Sequence, residues 1–144
     1  MTKEIPEEAV SFLNHLKTYR ENPEQGHAWN PYGKEVTALL LTSTGRTTGK
    51  PRTRPLIYRK IGGNYVIVAS KGGAPDNPMW YRNLLSNPDC EIQVIRDHIK
   101  CRARTAVGAE RAELWPQMVD LLPQYAEYQS KTDREIPVIV LEPV

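Results

Sequence analysis

The residues best suited to bind an anion lie in one short basic segment. Six basic residues occur there without an acidic residue between them: Arg46, Lys50, Arg52, Arg54, Arg59 and Lys60. Two glycines and two threonines at its start let backbone N–H groups and hydroxyls point at a ligand. This combination suits a phosphate, although the glycine spacing is not that of a P-loop. A solvated hairpin whose charges protect an edge strand explains the same residues equally well.

A second candidate site joins a predicted strand to a predicted helix. Ser70 and Lys71 leave the strand, and the two glycines that follow permit close approach of the backbone to a ligand. Asn77 and Pro78 are typical of an N-cap and a first helical position. The positive end of that helix would therefore attract an anion.

Two large aromatic residues, Trp80 and Tyr81, stand at the start of this helix. They have the size to cover a flat ring bound beside the glycines. Burial of Trp80 in the core is the alternative, and physical grounds alone favour it because buried tryptophan is common.

Tyrosines in the C-terminal third could donate a proton or a hydrogen bond. Tyr125 and Tyr128 are three residues apart, so they share one face of a predicted helix. Leu114, Met118 and Leu121 precede Tyr125 on the same stripe. A core stripe edged by two amphipathic tyrosines is the alternative interpretation.

Other catalytic classes find little support in the sequence. The three histidines lie in different predicted elements, without metal-ligand spacing to a carboxylate or cysteine, and no nucleophile elbow is present. A hairpin centred near Asp97 would pair Cys90 with about residue 103, so reduced, partly buried thiols are expected for Cys90 and Cys101. The net charge of +2 does not indicate nucleic acid, and exposed aromatics are not interleaved with the basic residues.

The elements that must position these residues can be read from periodicity and turn signals. Helices are predicted over residues 6–20, 78–85 and, with breaks at Pro116 and Pro123, over 110–128. Strands are predicted over 36–44, 53–59, 65–70, 90–95, 99–106 and 136–141, and residues 21–34 are predicted to form a loop. Tight turns make the first strands antiparallel. The chain of 144 residues is therefore predicted to be one domain, a small antiparallel barrel of about six strands with flanking helices.

Three ordered blocks resemble the deazaflavin-dependent nitroreductase and quinone reductase family, whose members use coenzyme F420. The first runs from Leu39 to Arg52 and the second from Val68 to Leu84. The third comprises Trp115–Met118, the tyrosines with Thr132-Asp-Arg134, and the final strand from Ile136. The resemblance implies a split β-barrel of the flavin-binding type. It also implies an oxidoreductase that passes hydride from reduced F420 to a quinone or nitroaromatic acceptor.

The resemblance also assigns roles to residues. Coenzyme binding is expected from Arg46, Thr47, Thr48, Gly49, Lys50, Pro51, Arg52, Val68, Ala69, Ser70, Lys71, Met79, Trp80, Tyr81, Asn83 and Tyr125. Acceptor binding is expected from Ile57, Leu122, Tyr125 and Tyr128. Tyr125 would give a proton or hydrogen bond to the acceptor, and the Ser70 hydroxyl would face the coenzyme ring. No metal is expected.

This sequence departs from the family pattern at two positions. Leu122 and Ile57 stand where members that reduce bulky bicyclic nitroimidazoles carry tyrosine. Tyr58 is adjacent to Ile57, but neighbouring strand residues point to opposite faces. Quinone reduction is therefore expected to be less affected than reduction of those drugs.

Two other functions are compatible with the same residues. An FMN-dependent split-barrel oxidoreductase could place its single phosphate at the basic turn, residues 45–51. A carrier or sensor could bind F420 without turnover. A homodimer is compatible with the fold. The mixed charge of the N-terminal helix favours a cytoplasmic protein over one associated with a membrane surface.

Overall fold

The computed structural model describes residues 7–30 and 34–144, with side chains from residue 12 onward. Its helices are α1 (Glu7–Glu21), α2 (Pro23–His27), α3 (Met79–Ser86), α4 (Gly108–Leu121) and α5 (Gln124–Ser130), with a 3-10 turn at Lys71–Gly73. Its strands are β1 (Ala28–Trp29), β2 (Val36–Thr44), β3 (Pro51–Ile57), β4 (Arg59–Ile61), β5 (Asn64–Val68), β6 (Asp89–Val94), β7 (Asp97–Thr105) and β8 (Val138–Pro143).

The strands form one curled antiparallel sheet. Its order is β1-β2-β6-β7-β8-β5-β4, and β3 also pairs with β2. The chain bends at Tyr58, whose N–H donates to the carbonyl of Thr37 at 3.1 Å. Before the bend this segment pairs with β2, and after it the segment pairs with β5. Because one continuous segment pairs at both ends of the sheet, the sheet curls into a split β-barrel. This agrees with the antiparallel barrel predicted from the strand pattern and with the split barrel implied by the resemblance.

Alternation along the strands produces two separate cores. In β5, Tyr65 and Ile67 face the barrel interior, where α3 also packs. Val66 and Val68 face the opposite way, into a second core beneath α4 and α5. This period of two is the ordinary geometry of a strand whose two faces are both covered. The split matters for function because it assigns Trp80 and Tyr125 to different sides of β5.

A buried tyrosine anchors the N-terminal helix. Tyr19 is 0% exposed, and its hydroxyl lies 3.0 Å from the carbonyl of Ala38 and 3.1 Å from that of Gln93. It also accepts a hydrogen bond from the N–H of Ile95 at 2.8 Å. Burial raises the pKa of Tyr19 to about 12, so it remains a neutral phenol. The contacts join α1 to β2 and to the β6–β7 hairpin.

Several element predictions are wrong in their details. The number of strands is eight in the described residues, because β1 and β4 are short and were missed or merged. The predicted loop at 21–34 holds α2 and β1 in its described part. Pro116 lies inside α4 rather than at a break, and it shares an exposed face with Ala112. The carbonyl that loses its partner there can be hydrated, which removes part of the cost of an internal proline.

The β6–β7 register also differs from the prediction. The turn is the two-residue Ile95–Arg96, so Cys90 pairs directly with Cys101 rather than with residue 103. Both cysteines are free thiols, as expected. In the described part of the chain, no helix has the length and apolar character needed to cross a bilayer.

Candidate functional site

The basic turn is closed by its own backbone hydrogen bonds and leaves its charged side chains exposed. The N–H of Gly45 donates to the carbonyl of Lys50, and the N–H of Gly49 donates to that of Gly45, both at 2.8 Å. The Thr48 hydroxyl accepts from the N–H of Lys50 at 3.2 Å. A Cβ on Gly45 would lie 2.8 Å from that hydroxyl and 3.2 Å from the carbonyl oxygen of Lys50, so a side chain there would crowd the turn. Exposed side chains on and beside this turn are Arg46, Thr47, Thr48, Lys50, Pro51 and Arg52.

This turn docks on helix α3. The N–H of Arg46 donates to Asn83 Oδ1 at 3.1 Å, and Arg46 Nη1 lies 3.7 Å from Met79 Sδ. Asn83 is buried, so its amide oxygen is held in place by packing as well as by the hydrogen bond. The structure thus joins two predicted coenzyme-binding blocks that are more than 30 residues apart in the chain.

The glycine loop after β5 contains three consecutive residues in the left-handed region. Lys71, Gly72 and Gly73 have φ values of 46°, 63° and 81°. Glycine adopts this conformation freely, whereas lysine is strained in it. A Cβ on Gly73 would lie 2.6 Å from the backbone oxygen of Tyr128, so the loop packs directly on α5. The loop therefore touches the helix that carries both candidate tyrosines.

The cation predicted at Lys71 is paired with a carboxylate. Lys71 Nζ lies 3.0 Å from Asp76 Oδ2, and Arg82 Nη2 lies 3.3 Å from the same oxygen. The hydrogen bond from Lys71 is the main reason that the pKa of Asp76 is lowered. All three groups are partly exposed, so an incoming anion can compete with Asp76 for both cations. The sequence assigns no role to Arg82, and its proximity to Asp76 in the fold is what identifies it as part of this charge cluster.

Arg134 forms a further contact with this loop that the sequence does not predict. Its guanidinium donates to the carbonyls of Ala69, Ser70 and Ala74 and to Asn77 Oδ1, at 2.7 to 3.3 Å. Asn77 was predicted to cap α3, but no side-chain cap is present and its oxygen binds Arg134 instead. Because the acceptors of Arg134 are mostly backbone carbonyls, no pattern of residue types identifies them.

The two aromatics at the start of α3 are largely buried. Trp80 and Tyr81 are 6% and 7% exposed and pack in the barrel interior. The Tyr81 hydroxyl lies 2.8 Å from Thr105 Oγ1. Burial of Trp80 in the core, the alternative weighed above, is confirmed. Met79, the residue before them, is 57% exposed and therefore open to a ligand. Contact of Trp80 and Tyr81 with the coenzyme stays a prediction.

The four residues predicted to bind the acceptor lie in one cluster, the second core. Leu122 and Tyr125 are buried there, Tyr125 at 4% exposed, and Ile57 and Tyr128 are partly buried and pack against the same cluster. Tyr58 faces the other core, where its hydroxyl lies 2.7 Å from His27 Nε2. It therefore cannot take the place of a tyrosine at position 57, as the alternation of strand residues predicts.

The segment between β5 and the glycine loop separates the two sides of the site. Val68 belongs to the second core and Ala69 to the barrel interior. The N–H of Ala69 donates to the carbonyl of Pro137 at 3.0 Å, which fixes the segment against the residue that precedes β8. The predicted ring-facing residues Val68, Ala69 and Ser70 thus lie between α3 on one side and α5 on the other. Ser70 is the partly exposed member of the three.

The cysteines are poorly suited to nucleophilic chemistry. Cys90 Sγ lies 3.6 Å from the carbonyl of Cys101. Burial raises the pKa of Cys90 to about 12 and that of Cys101 to about 11, so both remain protonated near neutral pH. They border a cavity of about 480 Å³ on the β2–β6–β7 surface. That cavity reaches Gly49 and Pro51 of the basic turn but includes no residue of α3 or α5.

Comparison with known proteins decides the family. The family model described as F420H(2)-dependent quinone reductase matches residues 12–143. The chain belongs to this F420H2-dependent quinone reductase family. The resemblance on which the sequence analysis depends is therefore confirmed, and the match extends into α1, which the three sequence blocks did not reach.

Individual proteins similar to this member of the F420H2-dependent quinone reductase family agree with it in sequence or fold. The F420H2-dependent quinone reductase Rv1261c of Mycobacterium tuberculosis is 45% identical over 108 residues, which cover 72% of each chain. The solved structure titled F420-H2 dependent reductase (FDR-A) is 43% identical, with a TM-score of 0.68, and covers 73% of this chain and 93% of that one. A second structure, titled a domain-swapped dimer, is 39% identical with a TM-score of 0.70, over 90% and 97% of the two chains.

The residues around α3 fit the coenzyme implied by this family. F420 carries a phosphate and an acidic glutamyl tail. Exposed Arg46 lies against Met79 of α3, and Lys71 and Arg82 converge on a single carboxylate oxygen of Asp76 just before the same helix. These cations are suitable donors for such an anion. The N–H groups of Gly45, Arg46, Gly49 and Lys50 donate within the protein instead of pointing at a ligand as the glycines of the turn had predicted.

Proposed function

We propose that the protein oxidises reduced F420 and reduces a quinone. The observation that supports this most strongly is that the second sequence block, the glycine loop with helix α3, contacts both of the other blocks. Asn83 joins the basic turn to α3, while Gly73 joins the glycine loop to the tyrosine helix α5. When bound, reduced F420 supplies the hydride, so the protein need only bind, orient and protonate.

The proposed division of labour follows the charges and the two cores. Arg46, Lys50 and Arg52 bind the anionic part of the coenzyme. Ala69 and Ser70 present backbone groups and a hydroxyl to its ring. The exposed position of the cations and the partial exposure of Ser70 are compatible with these roles.

Tyr125 is the proposed proton donor to the acceptor oxygen, and Tyr128 shapes the entrance. A positioned general acid typically contributes about 10²–10⁴-fold to rate. We therefore expect Tyr125→Phe to lower kcat strongly while leaving the coenzyme Kd within about twofold, because the interaction is made mainly in the transition state. Normal turnover by this variant would contradict the role.

The acceptor class is proposed from the apolar character of the second core. Leu122 and Ile57 provide apolar surface and no hydroxyl. A planar quinone requires little more than such a surface with one hydrogen-bond donor. We propose that simple quinones and small nitroaromatics are reduced, and bulky bicyclic nitroimidazoles poorly.

The first experiment is anaerobic oxidation of F420H2 with menadione, followed by the absorbance of the oxidised coenzyme. Reduced FMN and NADPH serve as alternative donors. Protein-dependent oxidation of F420H2 by menadione, without oxidation of reduced FMN or NADPH, supports the proposal. Binding of F420, seen by fluorescence quenching, without oxidation by any acceptor would favour a carrier or sensor. Oxidation of reduced FMN instead would favour the flavin-dependent alternative.

A homodimer is the proposed assembly, since a 39% identical neighbour is titled a domain-swapped dimer. Light scattering after size-exclusion chromatography tests this directly. A mass of 16.4 kDa at all concentrations would contradict it.

A further inference from the structure

Arg134 reaches both ends of the strained glycine loop. On the N-terminal side it donates to the carbonyls of Ala69 and Ser70, at 3.3 and 2.7 Å. On the C-terminal side it donates to the carbonyl of Ala74 and to Asn77 Oδ1, at 2.8 and 2.9 Å. A planar guanidinium presents five N–H donors in a fixed fork, so one side chain can hold several acceptors in a set geometry. The three left-handed residues lie between these two pairs of acceptors.

The loop needs such a support because its conformation is unfavourable by itself. Lys71 is a non-glycine residue at φ 46°, and residues of this kind persist only where the surroundings hold them. Within the loop, Gly73 donates to the carbonyl of Ser70 and Ala74 to that of Lys71. These two backbone bonds lock a single tight turn. Arg134 supplies the hydrogen bonds that fix this turn relative to β5 and α3.

Arg134 is itself held in position from α5. The Gln129 amide donates to the carbonyl of Arg134 at 2.8 Å, and its oxygen accepts from the N–H of Ile136 at 2.9 Å. Thr132 Oγ1 accepts from the N–H of Arg134. The backbone from which the guanidinium extends is therefore fixed to the helix that carries Tyr125 and Tyr128.

We propose that Arg134 is a positioning residue that holds the Ser70–Asn77 loop in the conformation that receives F420. The inference rests on the proposed function because it takes this loop as the coenzyme-binding one. Arg134 acts through the loop, so its loss lowers coenzyme affinity more than the rate of the bound complex. The guanidinium fork, rather than the positive charge, does this work, because the acceptors are spread over both ends of the turn.

Arg111 provides a matched control. It approaches the same C-terminal segment from α4, donating to the carbonyl of Ile136 at 2.7 Å and pairing with Glu135 at 3.1 Å. Within the described residues, Arg111 contacts Ile136, Glu135 and the ring of Trp115, none of which belongs to the glycine loop. Arg111→Gln therefore removes an arginine that supports the same segment without releasing the loop.

The test compares Arg134→Gln, Arg134→Lys and Arg111→Gln with the wild-type chain. Hydrogen exchange of the Gly73 and Ala74 amides is measured without coenzyme. Affinity for oxidised F420 is measured by fluorescence quenching, and kcat is measured with menadione at saturating coenzyme. We expect Arg134→Gln to speed exchange and to raise Kd by about tenfold or more, as for loss of one charge-assisted hydrogen bond. We expect kcat to change by less than about threefold, since the loss is one of binding.

The lysine variant and the control separate the fork from charge and from general stability. Arg134→Lys should resemble Arg134→Gln, and Arg111→Gln should leave loop exchange and Kd near wild type. Rescue by lysine, or equal effects of the Arg134 and Arg111 variants, would overturn the proposal. If Arg134→Gln does not fold, Asn77→Ala removes one acceptor of Arg134 and should give smaller changes in the same direction, in both amide exchange and Kd. Unchanged amide exchange in Asn77→Ala would count against the proposal that Arg134 holds the loop.

Failure of the proposed function gives a different result. A wild-type chain that does not bind F420 would refute the coenzyme assignment and, with it, the role of Arg134 in coenzyme binding. The exchange measurement would still decide whether Arg134 holds the loop. A wild-type chain that binds F420, with loop exchange and Kd unchanged in Arg134→Gln, would refute the role of Arg134 alone.

Discussion

Substitution of Gly73 by alanine should separate the glycine loop from helix α5, and Gly72 offers a matched control. A Cβ on Gly73 would lie 2.6 Å from the backbone oxygen of Tyr128 and 3.1 Å from Lys131 Cβ, whereas nothing lies within 4 Å of a Cβ on Gly72. Both glycines have positive φ, so either alanine costs about 1–2 kcal/mol in backbone strain. Only Gly73→Ala adds overlap with a neighbour. Overpacking of this kind costs a further 1–3 kcal/mol, roughly.

The overlap cannot be relieved by rotating a side chain, because the nearest atom belongs to the backbone of α5. We therefore expect the loop and the helix to move apart, which displaces Tyr125 and Tyr128 from the acceptor site. Urea denaturation should show Gly73→Ala to be less stable than Gly72→Ala by about 1–3 kcal/mol, and the KM for menadione should rise only in Gly73→Ala. Equal stability and equal KM in the two variants would refute the contact between loop and helix as a feature of the site.

Other outcomes follow from single contacts. Tyr19→Phe should lower the free energy of unfolding by about 1–3 kcal/mol because the N–H of Ile95 loses its partner, and an unchanged urea midpoint would contradict this. Asp76→Asn should tighten F420 binding at low salt by less than about fivefold, because the two cations it pairs with are released. The wild type should approach the variant as pH falls through the lowered pKa of Asp76, and a variant that keeps this pH dependence would count against the pair. Cys90 and Cys101, with raised pKa values, should resist iodoacetamide at pH 8 until the chain is unfolded in urea.

The fold was predictable where one local signal dominates. The run of apolar and β-branched residues from Val36 to Thr44 is β2 with those bounds, and the two glycines after Ile61 form the expected hairpin turn. The β6–β7 register was not predictable, because Ile95 adopts φ 58° in the turn. Nothing local favours a β-branched residue there. The N–H of Ile95 is instead satisfied by Tyr19, 76 positions away in the chain.

The candidate site divides in the same way. The cations and tyrosines could be proposed as site residues because their residue types indicate what they can bind or donate, and the resemblance assigned each of them a role. The sequence assigned no role to Arg82, or to Arg134 although it lies in a matching block, because their partners are defined by distance in the fold. These partners are a carboxylate shared with Lys71 in one case and backbone carbonyls in the other. A sequence pattern contains side chains and cannot show which carbonyls face a guanidinium.

Two kinds of interaction should therefore contribute to coenzyme affinity, and salt can separate them. The exposed cations of the basic turn act through charge, which salt screens over roughly 8–10 Å at physiological ionic strength. Arg134 and Asn83 are proposed to hold loops in place through hydrogen bonds. Arg134 makes four with the loop after β5 and its flanks, and Asn83 accepts one from the basic turn. Preorganisation of this kind reduces the cost of ordering the site when a ligand binds. Loss of a cation at position 46, 50 or 52 should flatten the salt dependence of the Kd for F420, whereas loss of Arg134 should raise the Kd by the same factor at every salt concentration.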